Sequence, residues 1–229
     1  MAASFWEHLD ELRTVLLKSA GAWLAASAVA FGLKERLFAF LMKPLGTDTT
    51  LVNIDVTGQF MAHVQVSLYI GLVVAFPFVI WWLYGFVAPG LYAREKYYAV
   101  WFMLASVVLF AAGVALNWFV IFPVSFRFLS AYQVSPAVVN RISLGSYISM
   151  LTVLSVMMGV FFEVPVVTWL LSRLGILRRE HLKHYRRHVF VVILILAALV
   201  TPTGDPFTLL LVTMPVYLLY ELSIWIVKD

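Results

Sequence analysis

Residues 65–88 read QVSLYIGLVVAFPFVIWWLYGFVA, and they lie inside an uncharged run that extends from Val56 to Ala93. A helix that spans the hydrocarbon core of a bilayer needs about 20 predominantly apolar residues, so this run predicts a membrane-spanning helix. The composition agrees, because 63% of the 229 residues are hydrophobic and only 12% are charged, against about 25% in an ordinary soluble domain. So few charges exclude a soluble enzyme and a nucleic-acid-binding domain.

Similar runs elsewhere in the chain bring the predicted number of spans to six. We place them at approximately 15–35, 65–88, 98–122, 147–172, 188–201 and 208–227. Each is expected to be a helix, because lipid offers no hydrogen-bond partner to an open backbone. The fifth span has 14 residues and reaches only about 21 Å at 1.5 Å per residue, against about 30 Å of hydrocarbon. The sequence therefore predicts one all-α integral membrane domain over residues 1–229.

The distribution of Lys and Arg predicts the orientation of this domain. Six spans put both termini on the same face, and that face carries 11 Lys and Arg residues against 5 on the opposite face. Because basic residues are enriched in cytoplasmic loops, both termini are expected in the cytoplasm and the protein in the cell membrane. The chain has no cysteine, which excludes a disulfide scaffold.

Acidic residues near the ends of the spans are candidates for binding a cation. Glu11 belongs to an acidic segment before the first span, and a carboxylate can bind a guanidinium group through two parallel hydrogen bonds. The alternative for this segment is an interfacial helix that presents its acids to water. Glu95 lies between Arg94 and Lys96 in the loop after the second span. It either binds a cation or forms a surface salt bridge, which contributes under about 1 kcal/mol.

Two further acids lie in or beside later spans. Glu163 lies about ten residues before Arg173 in the fourth span, where a charge costs roughly 2.5–3.5 kcal/mol. Pro165 removes a backbone N–H and leaves the carbonyl of Phe161 without its helical donor, so a broken helix is expected there. Three roles stay open for Glu163: a proton or ion site, a polar contact for a partner helix, or a protonated group that holds helices together. Asp205 is either an N-cap or a functional acid.

Motifs for catalysis and for cofactors are absent from the sequence. There is no G-x-S-x-G, H-E-x-x-H or G-x-x-x-x-G-K-[ST] pattern, so an intramembrane hydrolase is disfavoured and no cofactor is predicted. The spacing of His181, His184 and His188 suits a metal ion, but the Lys and Arg residues around them repel a cation. The alternative function is a secondary transporter or ion carrier built around Glu163. It predicts inverted repeats, and no repeat is visible.

Five short segments occur in order along the predicted spans: EHLDELR at 7–13, KPL at 43–45, FVAPGLY at 86–92, FEVP at 162–165 and TPTGDP at 201–206. Together they resemble the TatC family, the multispanning core subunit of the twin-arginine protein translocase. The resemblance covers nearly the whole chain, and it implies a concave, glove-like bundle of six helices.

The resemblance also implies which residues function. It implies that the protein binds signal peptides with consecutive arginines through Glu11 and Glu95, with Phe86, Leu12 and Arg13 shaping the site. It implies function or partner contact within the bilayer for a second set: Glu163, Asp205, Pro44, Thr201 and Leu209. At the position of Leu209 the family often has Gln, and a partner helix is thought to meet the sixth span there.

Partners and energy source follow from the same resemblance. Small single-span proteins of the TatA and TatB type are expected to assemble on the fifth and sixth spans, and the translocase is expected to be an oligomer. Folded proteins are transported in this family with proton-motive force. The protein is therefore expected to be a receptor subunit and not an enzyme, with no cofactor and no nucleic-acid partner.

Overall fold

The computed structural model describes residues 5–45, 50–87, 99–135, 137–138 and 140–227. Residues 88–98, which include Glu95, lie outside these ranges. Within them the chain forms ten α-helices in this order: α1 Phe5–Gly32, α2 Lys34–Leu41, α3 Gly58–Val87, α4 Ala99–Leu116, α5 Phe122–Ala131, α6 Leu144–Phe161, α7 Val164–Arg173, α8 Arg179–His184, α9 Arg186–Val200 and α10 Pro206–Ile226.

Short irregular elements connect these helices. A 3₁₀ turn at Lys43–Leu45 follows α2, and a π-helical turn at Asn117–Ile121 joins α4 to α5 without a break. Two strands of two residues each, β1 Leu51–Val52 and β2 Ile142–Ser143, pair in parallel. They tie the loop before α3 to the loop before α6.

Five helical stretches among the described residues are long and apolar enough to cross a membrane: Trp6–Gly32, Gly58–Val87, Val100–Ala131, Leu144–Arg173 and Pro206–Ile226. They coincide with predicted spans one to four and six, although α1 begins at Phe5 rather than near residue 15. α9 covers the predicted fifth span, but its 15 residues reach only about 22 Å. A sixth crossing therefore stays a prediction.

Contacts between helix ends define two faces of the molecule. His8, near the start of α1, stacks on Phe86, near the end of α3. Arg186, at the start of α9, pairs with Glu221, near the end of α10. We call the face that carries these contacts the terminal face, because α1 begins and α10 ends there. The β1–β2 pair lies on the opposite face.

Small residues let neighbouring helices approach closely. Gly71 of α3 faces the backbone of Ser27 in α1, and Gly113 of α4 faces the carbonyl of Met158 in α6. A Cβ atom at either glycine would collide with the backbone opposite. Lipid is as apolar as the side chains, so the hydrophobic effect does not drive helices together within a membrane. Close packing through small residues stabilises the helix pairs instead.

The core lies around α6. Ile148, Leu151, Leu154 and Met158 of this helix are completely buried in one apolar cluster that extends from Leu41 to Val227. α6 thus forms the centre against which the other spans pack.

The predicted break near Pro165 is confirmed. α6 ends at Phe161 and α7 begins at Val164, because proline cannot donate the backbone hydrogen bond that would continue the helix. The N–H of Glu163 instead bonds to the carbonyl of Val160 at 3.0 Å. The break sets the carboxyl group of Glu163 at the junction of two helices.

Candidate functional site

An open groove on the terminal face lies between the start of α1 and the end of α3. Its volume is about 640 Å³. We call it the acidic groove, and it is lined by Glu7, Asp10, Glu11, Thr14, Val15, Lys18, Trp81, Trp82, Gly85 and Phe86.

Helix periodicity explains why α1 presents polar residues to this groove. The lining residues of α1 recur at intervals of three and four, so they share one face of the helix. The large apolar residues Leu9 and Leu16 point elsewhere and are exposed. The polar face of α1 therefore turns towards α3, and its apolar faces turn outward to lipid, which reverses the arrangement of an amphipathic helix in a soluble protein.

The opposite wall of the groove is aromatic. Trp81 and Trp82 line it together with Phe86. The ring of His8 stacks on Phe86 with centroids 4.2 Å apart, and His8 Nδ1 lies 3.6 Å from Glu11 Oε2. Carboxylates and aromatic faces thus meet at one place.

The charge of the groove suits a cation. Glu7, Asp10 and Glu11 contribute three carboxylates, and among the residues that the structure describes Lys18 is the single Lys or Arg of the lining. The Glu11 side chain is 58% exposed, so a ligand can reach it from water. A guanidinium group is planar, donates two parallel hydrogen bonds to a carboxylate and stacks on aromatic rings. The groove offers carboxylates for the hydrogen bonds and aromatic faces for the stacking.

The predicted signal-peptide residues are only partly brought together. Glu11 and Phe86 both line the acidic groove. Leu12 is half-buried and Arg13 is exposed, and neither belongs to the groove lining. Glu95 lies outside the described residues.

Glu163 lies in a separate cavity of about 220 Å³ between α3, α4 and α7. The hydroxyl of Ser106 in α4 donates to Glu163 Oε2. In the part of the chain that the structure describes, Glu163 Oε1 is buried and has no hydrogen-bond partner. The rest of the lining is largely apolar: Ile80, Leu83, Tyr84, Val87, Phe102, Val166, Val167 and Leu170.

The last turns of α3 separate the two sites. Trp82 and Phe86 face the acidic groove, whereas Leu83 and Val87 face the cavity of Glu163. These pairs lie on different sides of one helix, as a repeat of 3.6 residues requires. Glu163 is therefore not part of the acidic groove.

Asp205 caps the start of α10. Its Oδ1 accepts from the N–H of Thr208 at 2.7 Å, and its Oδ2 accepts from the hydroxyl of Thr203 at 2.6 Å. Burial alone would raise the pKa of Asp205, but these hydrogen bonds favour the charged form and hold the pKa below its usual value. The N-cap interpretation is confirmed, and a further role of Asp205 stays a prediction. Thr201 is buried at the end of α9.

The remaining predicted residues lie apart from both sites. Pro44 belongs to the 3₁₀ turn after α2. Leu209 packs against the core, whereas Leu210 and Met214 are 61% and 73% exposed. On α10, Leu210 and Met214 are therefore more open to lipid or to a partner helix than the partly buried Leu209, and partner contact by Leu209 stays a prediction.

Some contributors were not predicted from the sequence. The polar residues of α1 at helical spacing were a usable signal for the groove. Nothing in the sequence pairs Ser106 with Glu163, because 57 positions separate them. Among the described residues, no group of three His, Asp or Glu side chains is arranged to hold a metal ion.

These features define an α-helical membrane protein with an acidic, aromatic-walled groove on one face. The family model described as Sec-independent protein translocase protein (TatC) matches residues 7–215. The Sec-independent protein translocase protein TatC of Carboxydothermus hydrogenoformans is 33% identical over 98% of this chain and 93% of its own length. The protein of that name from Azotobacter chroococcum is 36% identical over 95% of this chain and 86% of its own length.

Solved structures agree with the sequence matches. A crystal structure described as the twin-arginine translocase receptor TatC has a TM-score of 0.87 at 30% identity, over 96% of this chain and 97% of its own. A second, of that receptor in DDM, has a TM-score of 0.89 at 30% identity, over 97% of this chain and 100% of its own.

The chain therefore belongs to the TatC family. The predicted resemblance and the predicted α-helical membrane fold are confirmed. The protein is a component of a Sec-independent protein translocase and is not an enzyme. Its role in a translocase implies a membrane location and partner proteins.

Proposed function

We propose that this protein is the receptor subunit that binds twin-arginine signal peptides of folded cargo. One observation supports the proposal above all: Glu11 lies in an open acidic groove whose opposite wall contains Phe86 and two tryptophans. Carboxylates beside aromatic faces match a guanidinium group, and they match the ammonium group of lysine less well.

Two carboxylates are proposed for two arginines. Glu11 is the first, and Glu95 is the second. The end of α3 forms the aromatic wall of the groove, and Glu95 follows Val87, the last residue of α3, by eight positions in the sequence. Leu12 and Arg13 are proposed to support the α1 side of the site.

The setting of the site is also part of the proposal. Both termini, and with them the acidic groove, are proposed to face the cytoplasm from the inner membrane, as the excess of Lys and Arg on that face supports. TatA- and TatB-type proteins are proposed to assemble on α9 and α10, whose outward side chains include the exposed Leu199 and Met214. Glu163, Asp205, Pro44, Thr201 and Leu209 are proposed to act there or within the bilayer, and export is proposed to use proton-motive force in an oligomeric translocase.

The test is a binding titration on the purified full chain in nanodiscs. A fluorescent signal peptide with two arginines is expected to bind, and the same peptide with two lysines is expected to bind more weakly. Glu11→Gln and Glu95→Gln are each expected to lower the affinity about ten- to a hundred-fold, the range of a charge-assisted hydrogen bond. Glu35→Gln, which changes an exposed acid at the start of α2, is the matched control and is expected to bind normally. Unchanged affinity in Glu11→Gln and Glu95→Gln would contradict the proposal.

The alternative, a secondary transporter built around Glu163, is not favoured, because the family is a protein translocase family. It requires a path from water to Glu163, whereas the lining of that cavity is largely apolar. Proton or ion flux into liposomes that contain only this protein, abolished by Glu163→Gln, would restore this alternative.

A further inference from the structure

The connection between α7 and α9 carries a dense positive charge. Six of the 16 Lys and Arg residues of the chain lie in residues 173–187, which we call the basic segment: Arg173, Arg178, Arg179, Lys183, Arg186 and Arg187. Glu180 is the only acid in this interval, which leaves a formal charge of +5. Within the segment, Arg186 also pairs with Glu221 of α10 at 2.8 Å.

The basic segment lies at the level of the lipid headgroups. Arg173 is the last residue of the stretch Leu144–Arg173, which is long and apolar enough to cross a membrane. Arg186 begins the apolar helix α9. Because both ends continue into apolar helices, the short connection between them follows the lipid–water boundary. Leu174 and Ile176, which are 37% and 64% exposed, present apolar side chains at this boundary.

The basic segment is held against α10. The hydroxyl of Tyr220 donates to the carbonyl of Leu182 at 2.6 Å, and the side chain of Leu182 is buried. With Leu182 turned inward, Lys183 and the neighbouring charges stay exposed. The positive charges are therefore presented outward from an anchored backbone.

Arg179 supplies an independent observation. It is the one half-buried basic residue of the segment. Its Nε atom is buried and finds no hydrogen-bond partner within the ranges that the structure describes. A buried donor without an acceptor costs free energy, so the Arg179 side chain gains by turning outward to an acceptor outside the protein. The oxygens of a phosphate group match a guanidinium donor in charge and geometry.

We propose that the basic segment binds the headgroups of anionic phospholipids in the leaflet at the terminal face. Clustered Lys and Arg beside a membrane helix attract anionic lipids, and a phosphate oxygen provides an acceptor for the Nε–H of Arg179 once that side chain turns outward. The acidic groove on the same face repels these lipids. The terminal face is thus divided into a lipid-binding side at α7–α9 and a cation-binding side at α1–α3, and the lipid-binding side does not depend on signal-peptide binding.

Native mass spectrometry of the full chain in micelles with equal amounts of phosphatidylglycerol and phosphatidylcholine tests the proposal. The unmodified protein is expected to retain phosphatidylglycerol preferentially. One variant removes four of the charges: Arg178→Gln, Arg179→Gln, Lys183→Gln and Arg187→Gln. Its affinity for the first bound phosphatidylglycerol is expected to fall at least about five-fold, which is the effect of one surface charge.

Two further variants separate a local site from net charge and from misfolding. The first removes four charges on the opposite face and is expected to keep the preference: Arg36→Gln, Lys43→Gln, Arg127→Gln and Arg141→Gln. The second combines Arg178→Lys, Arg179→Lys and Arg187→Lys, which keeps the charge and is expected to keep most of the preference.

Three results would overturn the proposal. The first is no preference for phosphatidylglycerol in the unmodified protein, which is also the result if the segment binds an acidic protein instead. The second is equal loss in both four-residue variants, which would indicate net charge alone. The third is complete displacement of the lipid by millimolar inorganic phosphate, which would indicate a site for free phosphate.

Discussion

The imidazole ring of His8 lies nearly parallel to the phenyl ring of Phe86, with centroids 4.2 Å apart and planes inclined by 17°. The same imidazole approaches Glu11, with 3.6 Å between Nδ1 and Oε2. Stacking on an aromatic ring beside a carboxylate is also the geometry that a guanidinium group adopts. His8 therefore uses the two contacts that the proposed function assigns to an arginine of the signal peptide.

Replacing His8 is expected to change peptide affinity without abolishing it. His8→Ala frees Phe86 and Glu11 and is expected to tighten binding about two- to five-fold, the range of one exposed ion pair. His8→Arg places a permanent cation at the same contacts and is expected to weaken binding by a similar factor. Titration with the fluorescent twin-arginine peptide measures the affinity of both variants. His181→Ala, which changes an exposed histidine of α8, is the control. Weaker binding by His8→Ala would argue against this role.

Gly113 and Gly21 test helix packing as a matched pair. Both lie inside long helices, so alanine at either position removes the entropic cost of glycine, about 0.5–1 kcal/mol. A Cβ at Gly113 meets the Met158 carbonyl, whereas nothing lies within 4 Å of a Cβ at Gly21. We expect Gly113→Ala to lower the free energy of unfolding by about 1–3 kcal/mol and Gly21→Ala to leave it unchanged or raise it. Thermal unfolding in detergent compares the two variants, and equal Tm values for Gly113→Ala and Gly21→Ala would refute the packing argument.

The cap on α10 is expected to stabilise the fold measurably. Asp205→Ala removes the acceptor of the Thr208 N–H and is expected to lower the free energy of unfolding by about 0.5–2 kcal/mol. Asp205→Asn retains an acceptor and is expected to lose less. Thermal unfolding at neutral pH compares the two variants, and equal losses would show that the hydrogen bond contributes nothing.

The same cap predicts a dependence of stability on pH. Hydrogen bonds lower the pKa of Asp205 in the folded state, so the carboxylate stabilises the fold fully above the unfolded-state pKa of about 4. This contribution is lost as the pH falls through the folded-state pKa. Between neutral pH and about pH 3, the Tm of the unmodified protein is therefore expected to fall more than that of Asp205→Asn. If the Tm of both proteins fell equally as the pH was lowered, this contribution of Asp205 would be excluded.

The pairing of Ser106 with Glu163 predicts a rescue by a second substitution. Ser106→Ala leaves both carboxyl oxygens without a donor among the residues described and is expected to cost about 1–3 kcal/mol. Glu163→Leu in the same chain removes the unsatisfied carboxyl group, so part of the loss is expected to return in thermal unfolding. Ser223→Ala is the control, because that buried hydroxyl donates only within α10. Strictly additive losses would show that the two side chains are not coupled.

The spanning helices could be predicted because the requirements of a bilayer are local. Each span must be apolar along its length and must satisfy its own backbone hydrogen bonds, and both properties are readable from a single run of residues. The predicted 188–201 therefore agrees closely with α9, and the predicted 65–88 agrees with the end of α3, although α3 begins seven residues earlier, at Gly58. The start of α1 was misplaced, because its first ten residues are polar on the face that turns to α3 and do not read as a span.

The neighbours of each functional side chain were decided only by the tertiary structure. The sequence alone identified the six apolar runs, the motifs around Glu11 and Glu163, and the N-cap at Asp205, whose partners lie within three residues. It did not indicate that Trp82 faces the polar side of α1, that Ser106 meets Glu163, or that α3 divides the two sites. When a span is apolar on every side, its sequence does not show which side packs against other helices and which side faces lipid. Their contacts are chosen by close fit at small residues and by hydrogen bonds between distant positions, and these exist only once the helices have packed.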